Sequence, residues 1–132
     1  MSRENVETVK RATDAFNRGD LDAFLANFAP EAEWHPWQFV DRGAYRGHAE
    51  LKRFWAEVRE DLEELSTSVS EIRAVGEDKV FVAGVIAGRG KRSEARFEQP
   101  LWYVMTFRDG LIVRVEDYTD SAQALEAAGL SE

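Results

Sequence analysis

The chain has 132 residues, 44% apolar and 32% charged, a balance that suits one folded domain over residues 1–132 and excludes a disordered or low-complexity protein. It contains no cysteine, which removes disulfides, thiolate nucleophiles and iron–sulfur clusters together. With 17 basic against 25 acidic side chains the net charge is −8, which repels nucleic acid and anionic membrane surfaces.

Met1 to Asn5 runs into a polar helical pattern without the apolar core of a signal peptide, and the longest apolar run, 80–87, is too short to span a bilayer; both predict a cytoplasmic chain with no membrane partner. Val6, Val9, Thr13 and Phe16 recur at helical spacing and Gly19 marks a stop, which predicts a first amphipathic helix. Asp20 caps a second, whose stripe of Leu21, Phe24, Leu25 and Phe28 is expected to run until Pro30. Residues 33–37 read as a short strand entering an aromatic loop that ends near Gly47. Leu51, Phe54, Trp55, Val58, Leu62 and Leu65 restore helical spacing and predict a third helix of about four turns.

Beyond Leu65 the period becomes that of strands, over 66–75, 79–88, 95–108 and 111–119. Asp109-Gly110 between the last two predicts a type I′ hairpin. The stretch 80–87 is apolar on both faces, as a strand covered on both sides must be. A closing helix over 121–128 ends at Gly129. Helices first and mainly antiparallel strands afterwards give an α+β domain, a cone-shaped curved antiparallel or mixed sheet wrapped around the N-terminal helices and one long helix.

That order, with Phe16-Asn17-Arg18-Gly19-Asp20-Leu21-Asp22, Tyr45-Arg46-Gly47-His48, Thr106-Phe107-Arg108-Asp109-Gly110-Leu111-Ile112 and Ala124-Leu125-Glu126-Ala127-Ala128-Gly129-Leu130, resembles the SnoaL-like branch of the nuclear transport factor 2-like superfamily over nearly the whole chain. The resemblance implies a conical pocket and a range of functions: ketosteroid isomerases, polyketide cyclases, epoxide hydrolases, dehydratases and non-catalytic binders. It also suggests dimerisation through the outer sheet face.

Strand alternation puts Phe97, Gln99, Leu101, Tyr103, Met105 and Phe107 on one face as the cavity wall, and Trp102 on the outer face, where a second copy of the chain is expected to cover it. On the next strand Leu111, Val113, Val115 and Asp117 share a face, so an apolar row ends in a carboxylate. Desolvation raises the pKa of such a group and makes it a usable base or acid. A shift of one residue would put Glu116 there instead. The resemblance to SnoaL-type cyclases implies a catalytic Asp at position 117. Similarity to ketosteroid isomerase sets His35, Tyr103 and Ala12 where that enzyme has its base, its second Asp and its oxyanion-binding Tyr, which disfavours its chemistry and suggests His35, Tyr103 and Asp117 as an alternative catalytic set. Trp34, Trp37, Phe39, Tyr45 and Trp55 form an aromatic group suited to a flat apolar ligand, and Gln99, Leu101, Met105 and Val115 complete the expected lining. His35 and His48, the only histidines, lack metal-ligand spacing, and no glycine pattern reads as a nucleotide loop, so neither metal nor cofactor is expected. The leading function is a cofactor-independent enzyme that moves a proton on a small hydrophobic carbonyl compound, as a cyclase, isomerase or dehydratase. The alternatives are a non-catalytic binder using the same pocket and a dimeric interaction module whose cavity is filled.

Overall fold

Leucine, phenylalanine and valine at helical spacing build most of the first half of the chain, and long alternating strands build most of the second. In the computed structural model, which describes residues 2–36 and 43–130, helices α1 (Ser2–Arg18), α2 (Leu21–Leu25) and α3 (Gly47–Asp61) precede the main strands. Strands β1 (Phe28–His35) and β2 (Tyr45–Arg46) lie between α2 and α3, followed by β3 (Leu62–Val75), β4 (Lys79–Gly90), β5 (Arg96–Arg108) and β6 (Leu111–Tyr118), and α4 (Ser121–Ala128) closes the fold. One six-stranded sheet runs β2-β1-β6-β5-β4-β3. Every pair is antiparallel except β1 with β6, so the sheet is mixed.

Two helix ends differ from the sequence expectation. The second helix stops at Leu25 rather than Pro30, because the Asn27 side-chain amide donates to the carbonyls of Ala23 (2.9 Å) and Phe24 (3.3 Å) and satisfies the helix end. Phe28 and Pro30 then belong to β1, where a register shift against β6 between Phe28 and Glu33 accommodates a residue without an N–H. The third helix stops at Asp61, since Leu62 is already extended at φ −124° and ψ 143°. Leu62 and Leu65 reach the core from β3 across a bulge containing Glu64 at φ 56°, and that bulge reproduces a helix-like spacing of three.

Curvature has local causes. The β3–β4 register shifts a second time between Val69 and Glu71, next to Gly84, where a Cβ would lie 2.6 Å from the Ser68 carbonyl oxygen. At the β5–β6 turn Asp109 and Gly110 both take positive φ, 53° and 79°, as a type I′ turn demands. Helices α1, α2 and α3 fill the concave face around Val9, Phe24, Leu51, Phe54 and Val58. Helix α4, capped by Asp120, packs on the convex face over Phe81 and Val104 and shares its cluster with half-buried Trp102. The convex face is therefore partly covered by the chain itself, and the doubly apolar β4 has packing on both sides. Among the described residues no helix is long and apolar enough to cross a membrane.

Candidate functional site

The centre of the concave face is not completely filled. A cavity of about 70 Å³ remains between Phe16 on α1, Phe24 on α2, Trp34 on β1, Phe54 and Trp55 on α3, Leu101 and Met105 on β5, and a small set of polar groups. Trp34 stacks on Phe28 at 5.9 Å and packs at tilted angles 6.0 Å from Phe24 and 5.3 Å from Phe54, while Phe16 meets Trp55 edge to face. Ala12 lines the cavity and offers no donor there.

Asp117 reaches this wall. Tyr103 and Asp117 are directly opposite across the β5–β6 ladder, so their side chains leave the sheet together. The next strand, β1, sets Trp34 beside Val115, and the Trp34 indole Nε1–H donates to Asp117 Oδ1 at 3.1 Å. The carboxylate thus stands on the cavity wall between Trp34, whose indole donates to it, and the facing Tyr103. Glu116 points the other way, where Arg114 lies 3.5 Å from it and the Tyr118 hydroxyl donates to it at 3.1 Å. The row leading to Asp117 is not the expected one: a register shift between Thr106 and Phe107 makes Ile112 and Val115 the inward residues, and Leu111 and Val113 are only half-buried.

Tyr103 is 8% exposed, and its burial, with the Asp117 charge added, pushes its phenol far above the usual tyrosine range. A hydrogen bond with Thr67 acts in the opposite direction without cancelling this. Tyr103 is consequently a neutral hydroxyl at any physiological pH. Thr67 is itself fixed by Asn17, whose amide donates to the Thr67 carbonyl at 3.0 Å and accepts from its N–H at 2.7 Å, so the end of α1 is pinned to β3 beside the cavity.

His35 does not join this group. It follows Trp34 along β1 and so projects from the opposite face, where its Nε2 lies 3.0 Å from Glu33 Oε1. That hydrogen bond, helped by Arg46 and Arg114, holds the Glu33 carboxyl below its ordinary range. His35 borders a separate outer depression with Pro36, Tyr118 and Thr119, which Asp117 also touches from its edge. Tyr45 is buried but outside the cavity lining: its hydroxyl donates to Glu57 at 2.5 Å and its ring packs 4.9 Å from Phe54. Val115 is wholly enclosed in the core, and Gln99, half-buried further along β5, donates to the Pro100 carbonyl; neither lines the cavity. Trp37 and Phe39 lie outside the described residues. His48 meets the Phe28 carbonyl at 3.0 Å, and among the described residues no three His, Asp or Glu side chains are grouped to hold a metal ion.

The sequence reading assigns the apolar helix residues Phe16, Phe24, Phe54 and Val58 only to helix stripes, although they line the cavity, and it gives no place at all to the polar lining residues Thr67 and Arg59. Arg59 had a signal, since the α3 stripe of Leu51, Phe54, Trp55 and Val58 continues by its own spacing onto position 59.

The profile of the SnoaL-like domain matches residues 9–115. No curated protein matches the chain. Among solved structures, a nuclear transport factor 2-like protein from Burkholderia xenovorans LB400 is 30% identical, with 97% of each chain covered and a TM-score of 0.72. TerC, co-crystallised with polyporic acid, is 26% identical over 96% of this chain and 98% of its own, with a TM-score of 0.79. A candidate polyketide cyclase from Sinorhizobium meliloti is 26% identical over 85% of this chain and 94% of its own, with a TM-score of 0.68. With its helices, mixed curved sheet and matched profile, the chain belongs to the SnoaL-like domain family of the nuclear transport factor 2-like superfamily.

Proposed function

We propose that the cavity binds a small hydrophobic carbonyl compound and that Asp117 moves a proton on it without a cofactor, in a reaction of the cyclisation, isomerisation or dehydration type. The observation that carries this reading is the Asp117 carboxylate on the position facing the neutral Tyr103 across the ladder, with the Trp34 indole donating to it, both lining one aromatic cavity. Cross-strand partners stand about 5 Å apart at Cβ. From facing positions on the ladder the two side chains suit the two ends of an H–C–C=O unit: Asp117 accepts the proton and Tyr103 donates a hydrogen bond to the oxygen on which charge develops. The relationship to a candidate polyketide cyclase and to a protein crystallised with polyporic acid supports a carbonyl-bearing ligand.

Ligand binding without turnover is a second reading, favoured by the position of His35, which leaves the cavity without an imidazole. The cavity is also narrow: about 70 Å³ is less than the ~150 Å³ that takes up one benzene ring, so a ring-sized ligand must displace side chains on entry. A filled cavity in a dimeric interaction module is what remains if no ligand enters. The test is solvent-deuterium exchange at the α-carbon of 2-indanone, followed by NMR. Catalysed exchange that falls by roughly 10² in Asp117→Asn, with binding retained, is the expected result. Binding with no catalysed exchange in the wild type selects the second reading, and exchange untouched by the substitution rejects Asp117 as the base.

A further inference from the structure

Arg59 is an unusual neighbour for an apolar cavity. It lies in the last turn of α3 and lines the cavity with Phe16 and Trp55. Its guanidinium carbon stacks 3.8 Å from the Trp55 ring centroid and 4.7 Å from that of Phe16, and its Nη2 donates to the Phe16 carbonyl at 3.1 Å. Those contacts fix the plane of the group but do not neutralise it. Surface arginines such as Arg18, Arg46 and Arg114 each lie within 4 Å of a carboxylate. Arg59 has no such partner among the described residues, in a chain with 25 acidic side chains available. Its Nη1 is shut off from water and has no hydrogen-bond acceptor among the described residues. An unmet buried donor on a cation is costly, and it keeps its full hydrogen-bonding capacity for an incoming anion. Burial also draws the pKa of the guanidinium down, as expected for a cation short of both water and counter-charge.

We infer that Arg59 is the anion-recognising group of the cavity, so that the ligand is a compact ring-bearing acid whose charged oxygen pairs with the guanidinium while its reacting carbon lies at Asp117. The inference rests on the proposed carbonyl-binding site and narrows its ligand to acids, whether the charge comes from a carboxylate or from an enolate oxygen. Phe16 and Trp55 serve it twice, holding the cation by its faces and offering apolar surface to the ring of the acid.

Benzoate and benzamide have nearly the same shape and differ in charge, and their affinities for the whole protein at pH 7 can be compared by calorimetry. The wild type is expected to bind benzoate about tenfold more tightly than benzamide. Arg59→Gln should erase that preference while leaving benzamide binding in place, which also shows that the variant is folded; Arg59→Lys should keep part of it. Independently of any variant fold, nitrogen-detected NMR of the wild-type arginine side chains should show the Arg59 signals moving with benzoate and not with benzamide. Equal affinities in the wild type, a preference that survives Arg59→Gln, or unmoved Arg59 signals would overturn the inference, and benzamide binding would then leave the proposed carbonyl site standing. If neither probe binds at millimolar concentration, the ligand site and this assignment fall together.

Discussion

Removing the indole donor from Asp117 tests whether the carboxylate is held by the hydrogen bond or simply stranded in an apolar wall. Trp34 is 8% exposed and its Nε1 lies 3.1 Å from Asp117 Oδ1, a geometry in which a hydrogen bond to a charged group contributes roughly 1.5–3 kcal/mol. Trp34→Phe keeps an aromatic ring among Phe24, Phe28 and Phe54 but deletes the donor, and it also loses apolar contact that has nothing to do with Asp117. The two losses separate in a double-mutant cycle with Asp117→Ala, read by urea unfolding at pH 7 with the slope of the transition held constant across the four proteins. The single Trp34→Phe change should cost about 2–4 kcal/mol, adding the bond to the smaller ring's lost packing. The coupling between the two sites should be about 1.5–3 kcal/mol. A coupling below ~0.5 kcal/mol, the level expected of independent sites, would refute the claim that Trp34 holds the carboxylate.

Tyr103→Phe should leave the fold intact at pH 7 and cost roughly 0.5–1.5 kcal/mol for the lost hydrogen bond, while weakening binding of 2-indanone in calorimetry. Because the folded pKa of Tyr103 is raised above the unfolded value near 10, its contribution is complete below that pH and is lost as pH rises further; urea unfolding from pH 9 to 11 should show stability falling, with a shallower fall in Tyr103→Phe. An identical slope in both proteins would contradict the buried neutral phenol. Gly84→Ala forces a Cβ to within 2.6 Å of the Ser68 carbonyl and should cost about 1–3 kcal/mol in the same unfolding assay, with a loss under ~0.5 kcal/mol counting against the close approach of β3. Half-buried Trp102, at the margin of the cluster under α4, is expected to be covered further by a second copy of the chain, and Trp102→Glu should then convert a dimer into a monomer in sedimentation; a wild-type monomer at micromolar concentration removes the proposal.

Element order and type were legible because the sequence changes from helical to strand period within a few residues of the end of α3 and because Asp20 and Asp109-Gly110 are local signals that act within three residues. What misled the reading was a spacing of three. Leu62 and Leu65 mimic a helix turn, and Ile112 and Val115 break a strand alternation, for one and the same reason: a bulge puts an extra residue into the strand, and its position depends on the partner strand. The parallel pairing of β1 with β6 was equally hidden, since it joins residues some 80 positions apart and leaves no local mark.

The site shows the same division between what short-range chemistry fixes and what pairing decides. Asp117 falls on the cavity side although the row that pointed to it was misassigned: beyond the bulge the alternation from Val115 to Asp117 is regular, and the Tyr103 register confirms the face independently. His35 goes the other way for the plainest reason, that it follows Trp34 on one strand and only one of two neighbours can face inward. Its loss from the cavity does not weaken Asp117, because Trp34 occupies the inward place and brings the donor that an imidazole would otherwise have offered. The consequence, among the described residues, is a cavity lined by one carboxylate, Asp117, without a histidine beside it. In the proposed reaction the proton that Asp117 takes would be returned by the same group, which suits relocation of a proton within one ligand better than a reaction needing a separate strong acid.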